Sequence, residues 1–113
     1  LRVSPVKPKD QVISYPEFVD FDLKRNNPIK ACYPGVSPMW DNSSRRVHLN
    51  ATILDGSTPA HFKRWYHGKM ERFTGIAGGD RFVFINAWNE WAEGNHLEPC
   101  QKFGRAYLEA LKA

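Results

Sequence analysis

The chain has 113 residues, the size of one ordinary domain, with 42% hydrophobic and 13% aromatic residues. This composition can build a packed core and excludes a disordered segment as the default interpretation. The net charge of +4 is mild and the basic residues are spread along the chain, so no nucleic acid is expected as a partner. No apolar stretch is long enough for a membrane span, and two cysteines, Cys32 and Cys100, are too few for a disulfide framework.

The beginning of the chain predicts an irregular segment followed by a helix. Residues 1–13 are expected to be a leading segment, because Pro5 and Pro8 break regular structure. Ser14 then offers an N-cap for a helix that runs to about Leu23, with a glutamate three residues after the cap.

The next part of the chain predicts a short strand, a polar loop and a second helix. Residues 29–33 are the strand candidate, and a loop over residues 36–46 follows it. Residues 48–54 are either extended or a continuation of this loop. Ser57 or Thr58 then caps a helix, since the proline that follows is favoured in a first helical turn.

The second helix has an apolar face and a basic face. Its large apolar residues recur at spacings of three and four: Phe62, Trp65, Tyr66, Met70 and Phe73. Its basic residues lie opposite and are expected to be solvated: Lys63, Arg64, Lys69 and Arg72. Three glycines are expected to end this helix: Gly75, Gly78 and Gly79. A last helix is predicted from about Gln101 to Leu111.

The stretch from residue 81 to residue 98 organises the rest of the chain. Its apolar run predicts a strand over residues 81–87 that is buried on both faces, as in a parallel sheet. A polar and aromatic loop over residues 88–98 follows. Strands of a strand–helix–strand unit are parallel, with a right-handed crossover. The loops 36–46 and 88–98 are therefore expected to emerge at the same end of the sheet.

The side chains of these two loops predict a site that binds sugars. Aromatic faces stack on sugar rings, carboxylates and amides bind hydroxyls, and paired carboxylates cleave glycosidic bonds. Glu90 and Glu93 are the candidate catalytic pair. The candidate substrate contacts are Trp40, Asp41, Asn42, Arg45, Arg46, Trp88, Asn89, Trp91 and Glu98. The histidines and cysteines show no metal-ligand spacing, so neither a metal nor another cofactor is predicted.

Structural alternatives remain open for these residues. Glu90 and Glu93 also suit a helix N-terminus, where the helix dipole favours acids, and the tryptophans can simply be packed. One of Arg45 and Arg46 is expected to contact an anionic sugar or phosphate, while the other braces the loop by pairing with Asp41 or Glu98. Glu98 is favoured as a support for other residues rather than as a sugar ligand.

Several segments, in consistent order, resemble the WbsX-like family. They are Tyr33-Pro34-Gly35, Trp40-Asp41-Asn42 with Arg45-Arg46, Ser57-Thr58-Pro59, the run from Ile85 to Gly94, Leu97-Glu98-Pro99 and Phe103-Gly104. The resemblance covers residues 14–112. The family is labelled as glycosyltransferases of lipopolysaccharide O-antigen and other surface polysaccharides, and it is related to glycoside hydrolase family ninety-nine, the endo-α-mannosidases and endo-mannanases.

The resemblance implies an α/β fold that forms the C-terminal portion of a (β/α)8 barrel of the TIM type. A complete barrel needs about 250 residues. Residues 1–113 are therefore expected to be a single C-terminal fragment of a catalytic domain. An N-terminal barrel portion or self-association would complete it.

The resemblance also implies roles for the two acids. In the hydrolase relatives the first glutamate, here Glu90, assists the sugar's own 2-hydroxyl as an internal nucleophile. The second, here Glu93, is the general acid and then the base. Ala92 stands where the hydrolases have histidine, and Cys100 stands where an aspartate is expected.

Three functions remain as alternatives. The first is retaining, endo-α-mannosidase-like hydrolysis of an oligosaccharide or polysaccharide. The second is glycosyl transfer in the synthesis of lipopolysaccharide or a related polysaccharide, although Gly78-Gly79 is too short for a phosphate loop. The third is a non-catalytic module that binds glycans.

Overall fold

A computed structural model of the protein describes residues 9–25, 32–46, 49–73 and 81–112. Its elements in chain order are β1 (Gln11–Ser14), α1 (Tyr15–Lys24), β2 (Gly35–Val36), β3 (Trp40–Asp41), the 3₁₀ turn η1 (Ser43–Arg45), β4 (Thr52–Asp55), α2 (Pro59–Arg72), β5 (Phe84–Ile85), β6 (Asn89–Glu90), the 3₁₀ turn η2 (Trp91–Glu93), β7 (Asn95–His96) and α3 (Ala106–Glu109). The fold is mixed α/β, as predicted. Among the described helices, none has the length and apolar character needed to cross a membrane.

Within the described ranges, the strands form three small sheets. β4 lies at the centre of the largest, with β1 parallel to it on one side and β3 antiparallel on the other. β2 and β5 form a parallel pair, and β6 and β7 form an antiparallel hairpin. The parallel pairing of β2 with β5, on either side of α2 in the sequence, agrees with the predicted strand–helix–strand unit.

Both long helices begin at the predicted caps. The Ser14 hydroxyl accepts a hydrogen bond from the Glu17 N–H at 3.4 Å at the start of α1. Thr58, not Ser57, caps α2, and its hydroxyl accepts from the His61 N–H at 3.2 Å. Each cap satisfies an N–H group that has no partner inside the helix.

The core lies where the apolar faces of α1 and α2 meet the strands and α3. Its buried residues are Tyr15, Val19, Val36, Phe62, Trp65, Leu97, Tyr107 and Ala110. Trp65 is at its centre, with Tyr15 and Phe18 edge-on to its ring at centroid distances of 5.8 and 5.6 Å. Such edge-to-face pairs add to the stabilisation from burying the apolar area.

A buried carboxylate, Asp22, joins the two helices. The Trp65 indole N–H donates to it at 2.8 Å, and Lys69 Nζ and Arg25 Nη2 lie 2.6 and 3.0 Å from its oxygens. Burial raises the pKa of Asp22, but the hydrogen bonds from Lys69 and Trp65 and the nearby positive charges outweigh it, so the net pKa is lowered. The buried charge is thus fully paired.

A second polar group of side chains anchors the chain after β2. The Tyr15 hydroxyl donates to the Ser37 carbonyl at 2.7 Å, and the Ser57 hydroxyl contacts both the Pro38 carbonyl and the Tyr107 hydroxyl. Burial raises the pKa of both tyrosines above the ordinary value. This use of the Ser57 side chain explains why Thr58 caps α2.

Several predicted elements differ from those observed. The strand predicted at residues 81–87 is shortened to β5, and it is not buried on both faces. Side chains alternate along a strand, so Val83 and Ile85 pack on the core while Phe82 and Phe84 are 51% and 63% exposed. The last helix is also shorter than predicted, since residues 101–105 form turns before α3.

At the start of the chain, the expected leading segment contains most of β1, because its backbone groups pair with β4 over Gln11–Ser14. Between α1 and the first polar loop, the observed strand is β2, after Pro34 rather than before it. Residues 29–31 of the predicted strand and the three glycines expected to end α2 lie outside the described residues. The uncertain segment 48–54 contains an extended strand, β4.

Candidate functional site

The two polar loops start side by side, as predicted. The Asn86 N–H donates to the Val36 carbonyl at 3.0 Å, and the Ser37 hydroxyl lies 2.6 Å from the Asn86 carbonyl. The peptide bond between Asn86 and Ala87 at this point is cis. The loops therefore leave the carboxyl ends of β2 and β5 together, where α/β folds generally carry their sites.

The second loop is a hairpin that presents the candidate acids. β6 pairs Glu90 with Asn95, and η2 between the strands carries Glu93. Gly94 closes the turn in the left-handed conformation, with φ of 53°. The two candidate acids thus lie at opposite ends of one short 3₁₀ turn.

Gly94 also sets how closely the two loops approach. A Cβ atom at this position would lie 2.9 Å from the Asp41 carbonyl oxygen and 3.0 Å from the Asp41 Cβ. Both contacts are too short for any other residue without movement of the backbone. Glycine is therefore required by its conformation and by the contact between the loops.

An ion pair joins η1 to η2. The Arg45 guanidinium donates to the Glu93 carboxylate, whose side chain is 22% exposed. The Ser44 hydroxyl adds a hydrogen bond to the Ala92 carbonyl at 2.9 Å. The predicted partners of the bracing arginine were therefore wrong, because the contact at Gly94 brings η2 against η1 instead of Asp41 or Glu98 against Arg45.

Glu98 supports a tryptophan rather than an arginine. The Trp91 indole N–H donates to Glu98 Oε2 at 2.8 Å. The His96 ring stacks on Trp91 with centroids 3.6 Å apart and an interplanar angle of 13°. His96 Nδ1 lies 3.0 Å from the Glu98 carbonyl oxygen, which can only accept, so Nδ1 carries the proton in this bond. Trp91 is thus fixed in orientation, yet it is 49% exposed.

In the first loop, three candidates have local structural contacts. Asn42 is buried, and its side-chain oxygen accepts from the Thr52 N–H at 2.8 Å, which ties the loop to β4. The Asp41 carboxylate, at the end of β3, accepts from the N–H of Ser43, the first residue of η1, at 2.9 Å. Trp40 is partly buried in β3.

The other candidates are open to solvent. Trp88 is 49% exposed, and its carbonyl accepts from the N–H groups of Leu97 and Glu98 at 3.0 Å each. The exposed side chains are those of Arg46, Asn89 and Glu90. These groups are accessible to a ligand from solvent.

Sequence reasoning missed four residues of this site. Ser44 and Gly94 join the loops, His96 stacks on Trp91, and Asn95 is fully buried beside Ser37, with no hydrogen-bond partner for its Nδ2 atom among the described residues. A glycine after a short acidic turn is a known signal for a left-handed cap, so Gly94 was recognisable. The other three have no local signal, since their roles depend on contacts between distant residues.

Two cavities border the hairpin. A polar one of about 190 Å³ is lined by Asn42, Arg45, Arg46 and Glu93. A larger open one, of about 910 Å³, is lined by Met39, Trp91, His96, Gln101, Lys102 and Phe103, among others. Within the described ranges, no three histidine, cysteine, aspartate or glutamate side chains cluster as metal ligands, and both cysteines are free thiols.

Comparison with known proteins gives a family and two relatives. The family model described as "Glycosyltransferase WbsX" matches residues 2–111. Proteins described as "Uncharacterized protein WxcX", from Xanthomonas campestris pv. campestris strain B100 and from a second strain of the same pathovar, are each 43% identical to the chain over 81 residues. That match covers 71% of this chain and 12% of each relative.

The chain thus spans about an eighth of the length of the curated relatives it matches. No solved structure matches the chain significantly. The family match covers nearly every residue, including both polar loops and the hairpin with the candidate acids. The chain therefore belongs to the WbsX glycosyltransferase family.

Proposed function

We propose that this chain contributes the catalytic acids of a carbohydrate-active site that acts on the glycosidic bonds of a surface polysaccharide. The observation that carries the proposal is the hairpin with Glu90 and Glu93. It holds Glu93 by an ion pair to Arg45 and presents half-exposed Trp88 and Trp91 beside the acids. Carboxylates beside open aromatic rings suit the binding and cleavage of sugars.

In this proposal the two acids act in sequence on an α-linked, mannose-like residue. Glu90, which is exposed, takes the proton of the sugar's 2-hydroxyl as that oxygen closes onto the anomeric carbon. Glu93, which has to be protonated and released from its ion pair with Arg45 when the substrate binds, gives its proton to the departing glycosidic oxygen. Water then opens the epoxide-like intermediate, with Glu93 taking the water's proton and Glu90 returning one to the 2-hydroxyl. Two inversions give net retention.

The position of Glu93 supports its role in this scheme. Arg45 holds its carboxylate against η1, and the side chain keeps 22% of its exposure, so a substrate oxygen can reach it. A general acid has to lie within hydrogen-bond reach of the oxygen it protonates. The ion pair with Arg45 suits Glu93 as the base of the second step, since the guanidinium stabilises the carboxylate that is left after the first proton transfer.

We further propose that residues 1–113 are the C-terminal part of a (β/α)8 barrel, with residues 14–112 in its catalytic domain. The parallel pair β2 and β5, with α2 between them in the chain, has the connectivity of one barrel unit. The exposed faces of Phe82 and Phe84 suit coverage by an N-terminal barrel portion or by a second copy.

Glycosyl transfer is the second candidate function, because the family description names it. The same acids would then take the proton of an acceptor hydroxyl instead of that of water. The two reactions differ in the molecule that receives the sugar and, where the donor is a nucleotide sugar, also in the leaving group. The test must therefore follow the fate of the anomeric carbon.

The deciding experiment incubates the intact protein with α-mannans and bacterial surface polysaccharides in ¹⁸O-labelled water. Hydrolysis predicts one labelled oxygen at each new reducing end. Transfer predicts no label there, and instead a lengthened acceptor when nucleotide sugars and a fluorescent acceptor oligosaccharide are supplied. Glycan binding without either product, unchanged in a Glu90→Gln, Glu93→Gln double variant, would contradict both and leave a non-catalytic binding module.

A further inference from the structure

The larger cavity next to the hairpin, with a volume of about 910 Å³, takes no part in the catalytic scheme. We propose that it binds an anionic sugar residue, one that carries a carboxylate, adjacent to the residue held at Glu90 and Glu93. The inference rests on the proposed function for its carbohydrate ligand. The cavity is an open depression rather than an enclosed pocket.

Trp91 connects the cavity to the candidate acids. It is the first residue of η2, directly after Glu90 and two residues before Glu93, and its ring also lines the cavity. Its orientation is fixed by the hydrogen bond to Glu98 and by the stacked ring of His96. A glycan bound at the acids therefore reaches the cavity by continuing across Trp91.

The cavity wall combines apolar surface with a few polar groups. Met39 and Phe103 join Trp91 as surfaces for the C–H face of a sugar ring, while the Gln101 amide can bind hydroxyls. The Nδ1 atom of His96 is held by a backbone carbonyl, which leaves Nε2 as the ring nitrogen available to a ligand. This mixture suits a ring with one apolar face and several hydroxyls.

The positive charge of the cavity wall favours an anionic ligand. Lys102 lines the cavity, with its ammonium 5.0 Å from the Phe103 ring centroid. In the part of the chain that the structure describes, no aspartate or glutamate lines this wall. On the hairpin beside it, Glu90 is exposed, whereas the charge of Glu93 is paired with Arg45. Lys102 therefore attracts an anionic residue to the cavity and Glu90 repels it, which favours one direction for a glycan that alternates charged and neutral residues.

The two methionines of the chain allow a direct test. Met39 lines the cavity, whereas Met70 lies on α2 and is outside it. The full chain, labelled with ¹³C at the methionine methyl groups, is titrated with methyl glucuronide and with methyl glucoside. We expect saturable shifts of the Met39 signal without a change at Met70. The glucuronide should bind about threefold more tightly, as one partly exposed charge pair provides.

Lys102→Gln should remove this preference for the glucuronide, and the matched control Lys63→Gln, on the exposed face of α2, should retain it. No shift of Met39 with either sugar would overturn the inference, as would equal binding of both sugars. Tighter binding of uridine diphosphate than of the glucuronide would also overturn it, since the cavity would then hold a donor nucleotide. Turnover of a polysaccharide without glucuronide binding would reject this inference alone. Glucuronide binding without turnover would reject only the proposed catalysis.

Discussion

Trp65 and Trp91 make the same hydrogen bond in opposite surroundings. Each indole N–H donates to a carboxylate at 2.8 Å, that of Asp22 for Trp65 and that of Glu98 for Trp91. Trp65 is 5% exposed and Trp91 is 49% exposed. A carboxylate that orients an indole therefore does not by itself mark a core or a site. The exposure of the ring distinguishes them.

The partners of the two rings explain this difference. Tyr15 and Phe18 pack edge-on against Trp65 from α1, and the buried charge of Asp22 is neutralised by Lys69. A buried charge needs such a partner. In contrast, Trp91 has one stacked ring, that of His96, and keeps half of its surface open. The first arrangement stabilises the fold, and the second fixes the orientation of a ring that stays open to solvent.

The largest expected difference in stability is between alanine substitutions of these two tryptophans. Trp65→Ala should lower the free energy of unfolding by about 3–5 kcal/mol, because it leaves a large cavity and removes a donor from Asp22. Trp91→Ala should lower it by less than about 1 kcal/mol, since the ring is half exposed. Urea unfolding measures both. Similar losses for the two variants would contradict the distinction.

The next test compares two glycines, one in the hairpin and one in the turns before α3. Gly94 and Gly104 have φ angles of 53° and 54°, so alanine at either should cost about 1–2 kcal/mol of unfolding free energy from backbone strain. At Gly94 the new Cβ also meets Asp41, whereas at Gly104 no described residue beyond the two chain neighbours has an atom within 4 Å. Gly94→Ala should therefore cost about 1–3 kcal/mol more.

The difference between the two glycine variants reports on the close contact between the loops. Gly94→Ala should also reduce catalytic turnover, because it separates η2 from η1 and disturbs the contact between Glu93 and Arg45. Gly104→Ala should leave turnover unchanged. Equal stability losses in chemical unfolding, with equal turnover, would show that the two loops are not held at the described distance.

The contribution of Asp22 in the core to stability should depend on pH. Its folded pKa is lowered, so its contribution to stability is present above the unfolded value of 3.8 and is lost as the pH falls through the folded value. Asp22→Asn should cost about 1.5–3 kcal/mol at pH 7, as for hydrogen bonds to a charged group.

The matched control is Asp20→Asn, also on α1, which removes an exposed ion pair with Arg64 of α2 and should cost less than about 1 kcal/mol. Thermal unfolding between neutral and acidic pH compares the variants. The difference between wild type and Asp22→Asn should shrink below pH 3.8. A difference that is independent of pH would contradict the paired charge.

The smallest effect is expected at alkaline pH. Burial raises the folded pKa of Tyr15 and Tyr107 above 10.0, so the unfolded chain loses these protons first. Stability is therefore fully present below pH 10 and falls as the pH rises further. Tyr107→Phe should make this fall less steep, as followed by thermal unfolding from pH 8 to 11. If the loss of stability with pH were as steep as in the wild type, the raised folded pKa of Tyr107 would be contradicted.

The helices and their caps could be predicted because their signals are local. Ser14 and Thr58 precede prolines and apolar stripes, and such patterns are read within one or two turns. The parallel order of β2 and β5 also followed, since the helix between them constrains the connection. The strand β1 did not follow, because its pairing with β4 joins residues about forty positions apart.

The site could be predicted in composition but not in its contacts. The aromatic residues and acids of the hairpin are visible as a group, and so is the arginine pair of the first loop. The partner of Arg45 depends on the close approach at Gly94, which no local pattern specifies. The stacking of His96 on Trp91 likewise depends on the antiparallel pairing of β6 with β7.

The proposed role of Glu93 as a catalytic acid is tested by replacing it with the isosteric glutamine. Reducing-end release from the polysaccharide that the wild type cleaves is compared with release by Glu93→Gln and by Glu109→Gln, an exposed glutamate on α3. We predict a loss of turnover of about 10²–10⁴-fold for Glu93→Gln, with unfolding and sugar affinity nearly unchanged, and no loss for Glu109→Gln. A Glu93→Gln protein that keeps its turnover would contradict the account.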